Sequence, residues 1–225
     1  MKIDISSFDW GQISEELKMY FKNEIFDKIN NGSVSDYEKL FEVEENDIVV
    51  DIGATVGDFA YSVLHKNPKH IYVVEPIGEF FDAMKNNLQG HPVSFTNVAI
   101  SSEKSIKISF MGHEETIRTL TFKEFIDYNR LYKIDFLKID IEGGEYGILT
   151  EENLDILKSI PKIVIECHLG NRIEKERFRN FRDNVLPHFK NYHIMSIDLI
   201  DIKWDLWNEH FLDYYAGVYL YIDNR

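Results

Sequence analysis

The stretch VVDIGATVGDF, residues 49–59, is a β-rich apolar run that contains an acid and passes into two glycines four apart. A buried strand that feeds a glycine turn and then a helix opens a βαβ unit, and the chain beyond residue 59 repeats the pattern. Strands are read at DIVVDIG (47–53), HIYVVEP (70–76), VSFTNVAIS (93–101), DFLKIDIEG (135–143) and KIVIECH (162–168), with SIKISFM (105–111) as a hairpin or edge strand. Between them, DFAYSVLHK (58–66), GEFFDAMKNNLQ (78–89, closed by Gly90), TFKEFIDYNRL (121–131), YGILTEENLDILKSI (146–160) and EKERFRNFRDNVLPHF (174–189) carry helical spacing. The fold implied is a doubly wound, mainly parallel α/β sheet. YHIMSIDLI (192–200) and YAGVYLYI (215–222) lack a clear helix between them and are expected to form an antiparallel C-terminal hairpin.

Upstream, QISEELKMYFKNEIFDKIN (12–30) places Leu17, Phe21, Ile25 and Ile29 on one stripe of an amphipathic helix. SVSDYEKLF (33–41) reads as a second short helix, with Ser35 as its cap and Glu38 at capping-box spacing. The expected organisation is a single domain, with residues 1–46 as an N-terminal helical extension and 47–225 as the core.

With 225 residues, 44% apolar and 28% charged, the chain can bury a full core. Its net charge of −14 argues against nucleic acid as a partner, because that affinity rests on Lys and Arg neutralising phosphates. A lone cysteine, Cys167, forms no internal disulfide and fits a reducing compartment. No run approaches the roughly 18 apolar residues of a membrane span, and the first residues carry acids where a secretory signal is apolar. A cytoplasmic location is the expectation.

In open α/β sheets ligands sit beyond the carboxyl ends of the strands. Gly53 and Gly57 let the turn after the first strand approach a ligand closely, and the helix beginning near Asp58 points free N–H groups the same way. A dinucleotide fingerprint would need glycine at 55 and 58, where Thr55 and Asp58 stand instead. The spacing suits a nucleoside whose group near the turn is an amino acid. Glu75, 22 residues beyond Gly53 at the tip of the next strand, can accept both hydroxyls of a ribose.

VVDIGATVGDF, VVEP, NVAIS, TLTFKEFI and DFLKIDIEGGEYGIL, in this order and spacing, resemble the FkbM family of S-adenosylmethionine-dependent methyltransferases over residues 47 to about 168. The resemblance implies a Rossmann-like class I methyltransferase acting on a hydroxyl of a sugar or natural product. By position, Asp51, Gly53 and Gly57 would lie along the methionine part of S-adenosylmethionine, Glu75 would hold the ribose, and Asn97, Val98 and Ala99 would line the adenine. Thr55 stands where the family more often has Asn, and it can still donate one hydrogen bond. MGHEETIR (111–118) is shorter than the substrate segment of many relatives, so the acceptor is not inherited.

At the reacting end, Lys138, Asp140 and Glu142 share a face if their strand stays regular, as do Glu166 and His168. His168, with a free imidazole titrating near about 6.5, is the candidate base, and Asp140 the alternative base or orienting group. Lys138, in a central strand, needs a paired acid. Two carboxylates and an imidazole could gather a divalent ion, but no motif fixes metal spacing and a metal is not favoured. Glu145 reads as a helix-starting acid, Tyr37 as a lid residue, and His65, His70 and His193 as surface residues. Trp204, Trp207, Phe211 and Tyr214 could be core, dimer surface or acceptor pocket, with core expected, and a homodimer stays open. The alternatives to an O-methyltransferase are a nicotinamide-dependent oxidoreductase or epimerase and a non-catalytic nucleoside-binding protein.

Overall fold

The computed structural model describes residues 3–110, 113–208 and 210–225. Its centre is a seven-stranded sheet made of β1 (Ile48–Ile52), β2 (His70–Val74), β3 (Val93–Thr96), β7 (Phe136–Ile139), β8 (Lys162–His168), β9 (Tyr192–Ser196) and β10 (Gly217–Asp223). The strands lie side by side in the order β3-β2-β1-β7-β8-β10-β9. From β3 to β8 all pairs are parallel, and β10 runs antiparallel to both β8 and β9. The expected C-terminal hairpin is therefore present, with the later strand seated inside it.

Central strands with both faces covered need apolar side chains on both sides, and β1 and β7 supply them: Val49, Val50, Ile52, Phe136, Leu137 and Ile139 are wholly buried. On one face lies the larger cluster, reaching to α5 (Phe122–Asn129) and α7 (Arg172–Asn184) through Phe125, Phe178 and Phe181. The other is covered by α3 (Asp58–Val63), α4 (Gly78–Leu88) and the segment just before β1, through Phe59, Met84, Tyr37 and Phe41. Both α5 and α7 begin in capping boxes, Thr121 with Glu124 and Asn171 with Glu174.

The N-terminal stripe forms α1 (Glu15–Phe21), capped by Ser14, then a π-helical turn (Lys22–Asp27) and α2 (Lys28–Asn30). Ile25 and Phe26 are buried there and join Phe8, Val56, Ile77 and Phe80 in a third cluster, which fastens the extension to α3 and α4.

Several sequence expectations are corrected. The run 93–101 breaks after Thr96 because the Asn97 side chain donates to the Glu75 and Pro76 carbonyls. Beyond the break, β4 (Ala99–Ile100) leaves the main sheet and pairs with β6 (His113–Leu120), whose other neighbour is β5 (Ser105–Phe110). Because β5 and β6 are antiparallel, 113–118 of the expected substrate segment is a hairpin strand, while 111 and 112 lie outside the described residues. The helix expected over 146–160 is two 3-10 turns followed by α6 (Leu154–Ser159). Ser35 caps nothing with its side chain, and Glu38 accepts from the Val43 N–H instead. The aromatic tail divides: Phe211, in α8 (Phe211–Tyr214), is wholly buried, whereas Trp204, Trp207 and Tyr214 are exposed.

Candidate active site

Sequence order reverses in space between β1 and β7, and their carboxyl ends open a cleft of about 1460 Å³. Gly53 ends β1 with φ +81°, and a Cβ there would lie 1.7 Å from the Asp140 carbonyl oxygen. The glycine is thus what lets the two strand ends close on each other. Gly57, at φ +82°, precedes α3, and a Cβ on it would press on Leu88 and Met84. Its lack of a side chain leaves room for Leu88 and Met84 of α4.

At one end of the cleft, Glu75 is buried, with Oε2 accepting from Thr55 N–H at 2.9 Å and Oε1 from Ile77 N–H at 2.8 Å. Burial pushes its carboxyl up to about 8, against those two backbone hydrogen bonds. Thr55 holds a left-handed backbone at φ 47°, which aims its N–H at Glu75. Beside them Ile77, Phe80, Val98 and Ile100 line an apolar slot. An apolar slot beside a carboxyl group with spare acceptor capacity suits an aromatic base carrying a diol.

Of the residues expected along the cofactor or among the catalytic groups, Asp51, Gly57 and Lys138 are buried outside the cleft lining, and Asn97 is exposed outside it. Asp51 and Lys138 are register partners on β1 and β7 and form a buried ion pair at 3.0 Å. Burial raises the Asp51 carboxyl, with the Lys138 charge opposing it, and Lys138 in turn donates to the Gly53 carbonyl at 2.7 Å. These contacts hold the glycine turn from below. Lys138 is therefore removed from the reacting groups: β7 ends at Ile139 and Glu142 turns left-handed at φ 52°, so the expected alternation stops. Gly57 and Asn97 are occupied in packing and in tying down the loop after β2.

At the other end, Asp140 and Glu142 line the cleft, and Glu166 and His168 come together with them beside it. His168 Nε2 lies 3.4 Å from Glu142, 3.8 Å from Asp140 and 4.0 Å from Glu166, while Nδ1 faces Glu145 at 3.4 Å. Glu145 is wholly buried, and it accepts the His168 backbone N–H at 2.7 Å, so it positions the histidine rather than merely starting a helix. Burial works against the imidazolium, but the Glu145 hydrogen bond and the charges of Glu145, Asp140 and Glu142 outweigh it, and His168 rises to about 10. Against the expectation of an unshifted imidazole, the acids around the ring favour its protonated form. Glu166 is pushed up to about 7, by burial first and then by Asp140. Asp140, Glu142 and His168 each offer one atom within 4.8 Å of the others, a grouping able to hold a metal ion.

Tyr37 is buried rather than a lid, and its hydroxyl donates to Asp140 Oδ2 at 2.8 Å. Tyr219 was missed by sequence reasoning; it is the register partner of Glu166 across β8 and β10. The alternating VYLYI of β10 was its one signal, and it becomes legible once β10 is known to lie beside β8.

A family model described as the methyltransferase FkbM domain matches residues 51–194. Hexuronic acid methyltransferase AglP of Haloferax volcanii is 24% identical over 147 residues, covering 58% of this chain and 60% of that protein. Alpha N-terminal protein methyltransferase 1 of Schizosaccharomyces pombe is 31% identical over 87 residues, covering 37% of this chain and 39% of the other. The chain thus spans less than two thirds of either relative. Among solved structures, a proposed rRNA methylase from Clostridium thermocellum aligns with a TM-score of 0.51 at 10% identity, over 94% of this chain and 98% of that one, a likeness of fold alone.

Proposed function

The chain belongs to the FkbM methyltransferase family, and on that premise we propose that it is an S-adenosylmethionine-dependent O-methyltransferase acting on a hydroxyl of a sugar or natural product. The observation that carries the reading is the cleft at the β1–β7 switch point, with a nucleoside-suited end at Glu75 and a proton-accepting end at Asp140. The relative that methylates a hexuronic acid supports a sugar acceptor.

Thr55 and Glu75 would hold the ribose, and Val98 would lie along the adenine. S-adenosylmethionine supplies an electrophilic methyl group when bound. The chain's own part is to align the acceptor oxygen and remove its proton. Asp140 lines the cleft and is the residue we assign to receive that proton, with Tyr37 fixing its carboxylate. His168, as a cation, holds Asp140, Glu142 and Glu166 around the mouth, and Glu166 near 7 can pass a proton onward.

Calorimetry with S-adenosylmethionine is expected to show binding that weakens about tenfold in Glu75→Ala, from two hydrogen bonds to the ribose worth roughly 0.5 to 1.5 kcal/mol each. Unchanged affinity would overturn the assignment of the cofactor end.

A further inference from the structure

No spacing along the chain marks a metal site, but the fold assembles one across two strand ends. β7 runs out into Asp140 and Glu142, and β8, its parallel neighbour, ends in His168. One donor atom from each of the three lies within 4.8 Å of the others. His168 Nε2 stands 3.4 Å from Glu142 Oε2 and 3.8 Å from Asp140 Oδ1. Both separations exceed the about 2.7 to 2.9 Å of a charge-assisted hydrogen bond. Donors that share an ion at about 2.1 Å stand about 3.0 Å apart at right angles and about 3.4 Å apart at tetrahedral angles, so these spacings are closer to those of neighbours in a coordination shell.

Two of the three ligands are aimed from behind. The Tyr37 hydroxyl donates to Asp140 Oδ2 at 2.8 Å, which leaves Oδ1, the oxygen on the histidine side, to ligate. Glu145 is wholly buried, accepts the His168 backbone N–H at 2.7 Å and turns Oε1 toward Nδ1 at 3.4 Å. A proton on Nδ1 facing that acid puts the lone pair of the ring on Nε2, toward Asp140 and Glu142. Glu145 Oε2 and His168 Nδ1 are buried without a hydrogen-bond partner among the described residues. A buried acid with an unpaired oxygen needs positive charge close by, and an ion on Nε2 supplies it through the ring. Lys138 is committed to Asp51 and the Gly53 carbonyl, and Arg177 reaches the Gly143 carbonyl at 3.5 Å. Asp140 and Glu142 line the cleft while His168 closes the set from beside it, so an ion here presents its remaining positions to the cleft.

We propose that Asp140, Glu142 and His168 form a divalent-metal site, suited by one imidazole and two carboxylates to an ion of the Mn2+ class, whose open positions take the acceptor oxygen. Where Nε2 carries a proton, the ion replaces it. The site itself stands apart from the methyltransferase reading, while the role of its open positions rests on that reading. An acceptor hydroxyl bound there gives up its proton more readily to the carboxylate beside it. Glu145 and Tyr37 are positioning residues that act through His168 and Asp140.

The test uses the full chain stripped with a chelator, and Mn2+ alone as the probe, followed by loss of the free-ion paramagnetic resonance signal. One site per chain is expected, filled below about 1 mM. Glu142→Gln, at an exposed position that folding tolerates, and His168→Gln should each weaken binding at least about tenfold, and Glu145→Gln about tenfold through the ring alone. Glu152→Gln, an exposed acid elsewhere in the same cleft, should leave it unchanged. The bound ion should still relax solvent-water protons, because three side chains leave positions open. No stoichiometric binding below about 1 mM overturns the proposal, as does binding that Glu142→Gln and His168→Gln leave intact, or that Glu152→Gln weakens equally. A bound ion without effect on water protons removes its open positions and with them the role at the acceptor. S-adenosylmethionine is titrated separately by calorimetry. Cofactor binding without Mn2+ binding leaves the methyltransferase reading in place and ends this proposal, whereas Mn2+ binding without cofactor binding upholds the metal site and removes that reading.

Discussion

The acids around His168 favour its protonated form, so in the proposed reaction the acceptor's proton goes to a carboxylate, Asp140. Asp140→Asn removes the acceptor of that proton while keeping size and the Tyr37 contact. Turnover is expected to drop about 100- to 10,000-fold with cofactor affinity nearly unchanged, measured by product release beside calorimetry. A histidine raised in the folded state above its ordinary 6.5 stabilises the fold fully below that value, and the contribution is lost as pH climbs through about 10. Glu75, Asp58 and Glu166, all raised, lower stability as pH rises through their own range, with the same sign. The His168 share is therefore read as the difference between the parent and His168→Gln in urea unfolding: it should shrink steadily from pH 6.5 to 10, and a constant difference would refute it. The convergence of Asp140, Glu142, Glu166 and His168 was legible from strand-end spacing, because neighbouring parallel strands deliver their last residues to one edge. The histidine's charge was not, because it depends on Glu145, which reaches the ring only after the chain turns through Gly143 and Gly144.

Elements meet most tightly where β1 and β7 end. Gly53→Ala would set a methyl into the Asp140 carbonyl and force a left-handed backbone on alanine, two faults at one point. We expect a loss of at least about 2 kcal/mol in denaturant unfolding, together with loss of turnover as Asp140 is displaced. Gly57→Ala meets only the flexible ends of Leu88 and Met84, so its cost should be mainly that of the backbone and turnover should survive better. Long amphipathic runs such as α4 and α7 were readable because their apolar positions repeat with helical period over eleven and thirteen residues. The run 146–160 and the strand at 93–101 were not, since each is broken by a tertiary demand: Glu145 and Tyr146 turn inward to His168, and Asn97 turns to the β2 loop.

Across the whole molecule, the parallel half of the sheet was visible in the alternation of strands and helices, and the antiparallel pair in the lack of a helix between the last two strands. Their spatial order was not, because both edge placements satisfy the same local pattern. A nascent chain that has reached Ser196 holds a β9 whose sheet partner, β10, is still to be made. Until Gly217–Asp223 leaves the ribosome and slides between them, β8 presents a bare edge flanked by Ile163, Val164 and Ile165, the kind that recruits stray strands from other chains. Translation stalled anywhere between 197 and 216 would yield a sticky half-sheet. The same insertion sets Tyr219 opposite Glu166, so closure of that edge also finishes the strand pairing around this acid.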